Sequence, residues 1–289
     1  MELTLEKVST TDGYSLHGLL FEPKKQSKTI IIHMHGSAGN CYQSNFYPYL
    51  FKMANQLNIA FLSTNSRGTG VYDVEKGAKY RGAAIEIFEE CLLDIDAWIE
   101  FALNKGYDDI ILESHSFGTN KTQFYILNGK HKDKIKALIL LGFTDSYGGQ
   151  LEYLKTVNIK NDEVLKKAKQ LISENKPFKL LPYWLINWGE LPQSAQSYYN
   201  FMSPGSELSK ILPFGEKKKL SNFRRIKKPI LGIVGDRNEC TVIPPKTAVD
   251  LLNKENTYAK CFMVKNCNHL YEGKEEELIT IIKSFIEEN

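Results

Sequence analysis

Ile110-Ile111-Leu112-Glu113-Ser114-His115-Ser116-Phe117-Gly118 runs from an apolar strand-like segment through small residues into a segment that reads as a helix. A serine on a tight strand-to-helix turn needs small neighbours two positions before and two after it. Its backbone is strained there, and its hydroxyl projects out of the sheet. Gly118 fills the second small position, and Ser114 stands where glycine is usual in the first. Ser116 is therefore the candidate nucleophile.

The surrounding segments repeat the strand-then-helix rhythm. Residues 3–9 and 15–21 alternate apolar and polar around Asp12-Gly13, which predicts an antiparallel hairpin. Thr29–Met34, Ile59–Ser63, Ile110–Leu112 and Ala137–Leu141 are short apolar runs suited to strands buried on both faces. Helices are expected over Phe46–Leu57, Phe117–Leu127 and the long amphipathic stretch Ala83–Asn104. Such alternation predicts an α/β fold with a mostly parallel sheet covered by helices on both faces.

The rhythm breaks after Gly142. Residues 146–222 contain no buried-strand run, and read as helices, one over Asp162–Glu174, joined by five prolines. The α/β pattern resumes with a strand at Pro229–Val234, a helix at Pro244–Asn253, a strand at Ala259–Val264 and a last helix at Glu275–Ile286. The expected organisation is a core from 1–145 and 223–289, interrupted by a helical cap insertion at 146–222.

Composition narrows the function classes. The 289-residue chain is 42% hydrophobic and 25% charged, which suits a globular protein of one large domain. Its net charge of +3, from 37 basic and 34 acidic residues, gives no footprint of a nucleic-acid binder. The one basic cluster, Lys217–Lys228, reads as a solvated face. No run approaches the ~18 apolar residues that span a bilayer, and the N-terminus reads as a polar strand, not a signal peptide. The five cysteines are scattered without a CxxC pair, so neither a zinc site nor a disulfide framework is expected. Neither metal nor cofactor is called for, and a cytoplasmic location is expected.

Serine is a weak nucleophile at neutral pH. It needs a neutral imidazole to take its proton and a carboxylate to orient that imidazole. Asp236 follows the Pro229–Val234 strand and His269 follows the Ala259–Val264 strand, so the order Ser116, Asp236, His269 places each at the carboxyl end of a strand. Asp145 is the rival acid, and Glu239 a weaker one.

On these residues, and on His35-Gly36-Ser37-Ala38-Gly39 and Asn65–Gly70, the chain resembles the α/β-hydrolase superfamily over nearly its whole length outside the insertion. Within it the chain looks most like capped cytoplasmic serine esterases and lipases, of monoacylglycerol-lipase-like or cinnamoyl- and feruloyl-esterase-like branches. The resemblance implies Ser116 as nucleophile, His269 as base and Asp236 as orienting acid. It also implies an oxyanion hole from the backbone N–H groups of Phe117 and Ser37. The expected reaction is hydrolysis of a small-molecule carboxylic ester through an acyl-enzyme. The same residues would serve a thioesterase or acyltransferase on an acyl carrier protein, or an amidase or peptidase. A non-catalytic binding protein on this fold is the rival of a different class.

Other residues receive plainer readings. Arg67-Gly68-Thr69-Gly70 lacks the ending of a phosphate loop and reads as a tight loop beside the site. His35 is expected to be structural, and the His115 side chain to point into the fold. Lys121 breaks the apolar character of its helix and reads as solvated. Tyr183, Trp184 and Trp188 in the insertion are candidates for an aromatic lid over the substrate.

Overall fold

The N-terminal alternation becomes the antiparallel pair β1 (Thr4–Ser9) and β2 (Ser15–Phe21). The structure, a computed structural model, describes residues 2–74, 80–186, 189–215 and 219–289, with the backbone alone at 74 and 183–186. After the hairpin come β3 (Thr29–Met34), α1 (Tyr47–Leu57), β4 (Ala60–Thr64) and the short pair β5 (Asp73–Val74) and β6 (Tyr80–Arg81). Next are α2 (Cys91–Asn104), β7 (Asp109–His115), α3 (Phe117–Asn128) and β8 (Ile135–Leu141). The following stretch holds α4 (Ser146–Thr156), α5 (Asn161–Ser173), β9 (Leu180–Ile186), β10 (Leu191–Ser194), α6 (Ala195–Met202) and α7 (Ser221–Arg225). The chain closes with β11 (Ile230–Arg237), α8 (Pro245–Glu255), β12 (Ala259–Asn268) and α9 (Glu275–Glu288).

Eight strands form the main sheet in the order β1-β2-β4-β3-β7-β8-β11-β12. The pairings among β4, β3, β7, β8, β11 and β12 are parallel, and β2 joins β4 antiparallel. The central strands are apolar through most of their length because successive side chains enter two different cores. Ile30, Ile32, Ile110 and Leu112 face one side, with Trp98, Phe124 and Tyr125 from α2 and α3. Ile31, Ile111 and Ile139 face the other, with Phe51 from α1 and Ile282 and Phe285 from α9. Full burial of each such side chain contributes roughly 1.5–3 kcal/mol, so the sheet is fixed independently of its loops.

Two local expectations are corrected. The helix expected from Ala83 begins only at Cys91, after a turn and the 3₁₀ segment Phe88–Glu90. Ile87 is extended at φ −106°, ψ 126°. The carbonyls that would build the first helical turns serve other partners: Ala84 accepts from the Ser194 N–H (2.7 Å), and Glu86 from the Ser197 hydroxyl (2.6 Å). The Phe88 N–H donates to Asn200 Oδ1 at 2.9 Å. Apolar periodicity is the same whether a segment coils or is clamped by its neighbours. The second correction lies in residues 146–222, where β9 and β10 pair antiparallel despite Pro192. Two register shifts accommodate the irregular pairing.

Candidate active site

Ser116 occupies the turn between β7 and α3 at φ 54°, ψ −127°. A non-glycine residue at positive φ carries strain of order 1–3 kcal/mol, held here by the buried strand before it and the helix after it. Gly118 is required: a Cβ there would lie 2.6 Å from the carbonyl oxygens of both Met34 and His35. Ser114 meets no such backbone. It is fully buried, with its Oγ 2.7 Å from Thr122 Oγ1 of α3, so a hydroxyl fits where glycine is usual and ties the strand to the helix.

His269 follows β12 directly, and its Nε2 lies 2.8 Å from Ser116 Oγ. Its Nδ1 lies 2.7 Å from Glu239 Oε2, a carboxylate with 1% of its side chain exposed. With Nδ1–H donating to Glu239, Nε2 is left as the acceptor for the serine proton. The other oxygen of Glu239 accepts from the Gly235 N–H at 2.7 Å.

Asp236 is therefore not the carboxylate on His269. It accepts from the backbone N–H groups of Asn266 and Cys267, each at 3.0 Å, and these hold its carboxyl below the usual carboxylate range. The cause is the length of β11, which runs past the expected end at Val234 to Arg237, with an irregularity after Gly235. Asn238 then turns the chain at φ 55°, which carries the acid position three residues onward. Gly235 makes room for it: a Cβ there would sit 2.8 Å from Glu239 Oε1 and 2.3 Å from the Cys267 carbonyl. Asp145, the other rival, caps α4 by accepting from Gly148 N–H (2.8 Å) and also accepts from Gly215 N–H (3.0 Å).

The imidazole rests on three further residues, of which the sequence singles out only His115. The His115 Nε2–H donates to the His269 carbonyl at 2.8 Å, with the rings 4.8 Å apart. Burial, then the neighbouring His269, hold His115 well below the usual imidazole range, so it is neutral. Gly142 at φ 53° lies against the ring, where a Cβ would be 2.8 Å from His269 Cε1. The Tyr271 hydroxyl, fully buried, accepts from the Gly142 N–H (2.7 Å) and donates to the Ile233 carbonyl (2.8 Å).

The loop after β3 closes the other side. A Cβ on Gly36 would be 2.8 Å from Ser116 Cβ, so glycine there sets the close approach. Ser37 and Phe117 line one cleft with Ser116, and Phe117 is the first residue of α3, whose N–H has no partner within the helix. His35 braces this loop: its Nδ1 is 2.7 Å from the Gly36 carbonyl and its Nε2 2.8 Å from Thr69 Oγ1. Burial lowers its pKa to about 3, so it stays neutral. The 65–70 loop packs against the 35–39 loop, with Thr69 bridging Ala38. The Arg67 guanidinium is taken up by Asp94, Asp12 and Glu90. Lys121 is not solvated: it is 1% exposed, pairs with the equally buried Glu86, and lies 5.0 Å from the Phe117 ring.

The cleft has a cavity volume of about 60 Å³ and opens to solvent. Besides Ser37, Ser116 and Phe117 its walls are Thr144, Ser146, Gly149 and Gln150 after β8, Gln193, Phe201, Met202 and Leu208, and Cys240. Burial and the nearby Glu239 push the Cys240 thiol up to about 12. Tyr183 and Trp184 have backbone positions in β9, but their side chains, and all of Trp188, lie outside the described residues. No helix among the described residues is long and apolar enough to cross a membrane.

No protein-family model matches the chain, and no curated protein does. Solved structures do. The chain is similar to Est1E from Butyrivibrio proteoclasticus with bound ferulic acid, at 18% identity and TM-score 0.63, covering 97% of this chain and 98% of that one. A highly thermostable carboxyl esterase from Bacillus coagulans matches at 16% identity and TM-score 0.68, over 99% of both chains. DcsB in complex with its substrate analogue matches at 14% identity and TM-score 0.71, over 100% of this chain and 99% of that one. Likeness at this level of identity speaks for architecture, and the sheet order, the strand-to-helix turn at Ser116 and these neighbours agree: the chain has the α/β-hydrolase fold.

Proposed function

We propose that this protein is a serine hydrolase that cleaves a carboxylic ester of a small molecule through an acyl-enzyme. The observation that carries the reading is the chain of contacts from Ser116 Oγ to His269 Nε2 (2.8 Å) and from His269 Nδ1 to Glu239 Oε2 (2.7 Å). Likeness to structures described as esterases supports the same reading.

In this proposal His269 takes the proton of Ser116 as its oxygen attacks the ester carbonyl. The carbonyl oxygen gathers charge facing the backbone N–H groups of Phe117 and Ser37. Glu239 holds the imidazole in the accepting tautomer and stabilises the imidazolium. His269 then protonates the leaving alcohol and activates the water that releases the acid. Residues 146–222 act as the cap, since Gln193, Phe201, Met202 and Leu208 from that stretch close the cleft above Ser116.

The test is Ser116→Ala, measured with p-nitrophenyl acetate and a fluorophosphonate probe. Hydrolysis should fall by at least about 10³-fold and labelling should vanish. Wild-type rates or labelling in the variant would sink the proposal.

A further inference from the structure

We infer that Gln150 selects an acyl group carrying an uncharged hydrogen-bond acceptor, such as a keto or ether oxygen, over a plain alkanoyl chain. The inference rests on the ester-hydrolase reading of the same cleft.

Gln150 lines the cleft, is 8% exposed, and its Nε2 is buried without a hydrogen-bond partner. A buried unmade donor costs about 1–3 kcal/mol, and native proteins leave few of them. The polar neighbours in the same wall are already engaged. Thr144 Oγ1 and Ser146 Oγ both donate to Asn120 Oδ1, at 2.8 and 2.6 Å. Gln193 donates from Nε2 to Ser197 Oγ at 3.0 Å, and Ser197 in turn donates to the Glu86 carbonyl at 2.6 Å. Among these four polar side chains Gln150 alone has a donor atom with no partner at all.

Charge decides what kind of acceptor fits. No lysine or arginine lines the cleft among the described residues. The carboxylates of Asp145 and Glu239 stand behind its walls, each nearly fully buried. A carboxylate or phosphate on the acyl group would meet negative charge with no cation to offset it. A neutral oxygen meets the Gln150 amide at no such cost, while Phe201, Met202 and Leu208 take the hydrocarbon around it. An acyl chain without that oxygen leaves the donor unmade in the complex, and such sites discriminate against the analogue that lacks the polar group.

The experiment compares p-nitrophenyl hexanoate with chain-matched esters in which one methylene, from the γ-carbon outward, is replaced by a carbonyl or an ether oxygen. The best oxygenated ester should exceed its alkanoate by about tenfold in kcat/KM. Gln150→Leu and Gln150→Met keep the volume and remove the amide; both should bring the ratio of the oxygenated ester to its alkanoate to about one. A wild-type ratio near one at every position, or a ratio unchanged in whichever variant folds, overturns the inference and leaves the hydrolase reading standing. Absence of any ester turnover and of fluorophosphonate labelling overturns both.

Discussion

Glu239→Gln is the sharpest perturbation of the site. The glutamine is isosteric, so the fold has no reason to move. Its Oε1 can keep the Gly235 N–H that Glu239 accepts at 2.7 Å. Its NH₂ then faces His269 Nδ1 across the 2.7 Å now spanned by a hydrogen bond to a carboxylate. Two donors cannot share that line, so Nδ1 must become the acceptor and the ring proton moves to Nε2. An Nε2–H cannot take the proton of Ser116. Flipping the amide restores the tautomer but sets NH₂ against the Gly235 N–H in a buried place, at about 1–3 kcal/mol. Either way the charge that stabilises the imidazolium is gone. The expected fall in kcat is about 10³–10⁴-fold, or roughly 4–5.5 kcal/mol of barrier. Asp236→Asn is the control: its carboxylate accepts from the Asn266 and Cys267 N–H groups and not from His269, so kcat should stay within about threefold. Steady-state hydrolysis and the rate of fluorophosphonate labelling measure both. A Glu239→Gln enzyme within about tenfold of wild type, or an Asp236→Asn enzyme equally impaired, would refute the reasoning.

Gly142→Ala places a methyl 2.8 Å from His269 Cε1 at a positive φ; kcat should fall at least about tenfold by displacement of the imidazole, and unchanged ester kinetics would contradict this. Lys121→Met strands the Glu86 carboxylate in a buried site and should cost about 3–5 kcal/mol, of which the double variant with Glu86→Gln should recover most; urea unfolding reads both. His35, lowered to about 3, and His115, also lowered, stay neutral in the folded chain while unfolded imidazoles titrate near 6.5. Below about pH 6.5 the unfolded chain therefore binds protons that the folded chain refuses. Stability is full above that pH and falls as pH drops, by about 2 kcal/mol per histidine at pH 5. His35→Gln should remove about half of that loss between pH 8 and 5, and an unchanged pH dependence in the variant would overturn the assignment. Ser114→Ala breaks the 2.7 Å contact with Thr122; the melting point should drop with about 1 kcal/mol of stability while kcat holds within about threefold, so a collapse of turnover would give the Ser114 hydroxyl a chemical role.

The central strands were legible because burial on both faces leaves short unbroken apolar runs, as in Ile30–Ile32 and Ala137–Leu141. Ser116 and His269 were legible because backbone sterics demand small residues around the one, and chain order places the other. The acid was misplaced for a physical reason. Which carboxylate reaches an imidazole depends on how far β11 continues and where Asn238 turns, and a strand's last residues carry no hydrophobic pattern. The early part of the expected helix at Ala83 failed similarly, since its carbonyls are claimed by residues more than a hundred positions away. Gln150, Gly142 and Lys121 gain meaning only from neighbours that a linear reading cannot assemble. The β9–β10 pair was hidden by Pro192, which argues against a strand and is accommodated by irregular pairing.

Three hydrogen bonds, from the Ser194 N–H to the Ala84 carbonyl, from the Ser197 hydroxyl to the Glu86 carbonyl and from the Phe88 N–H to Asn200 Oδ1, bear on access to the cleft. Swinging that wall outward would break all three, about 3 kcal/mol at a typical net value, so fewer than about one molecule in a hundred would stand open at a given moment. Under the proposed hydrolysis, Gln193 and Phe201, carried on the same stretch, frame an entrance that most arriving molecules meet in this standing arrangement.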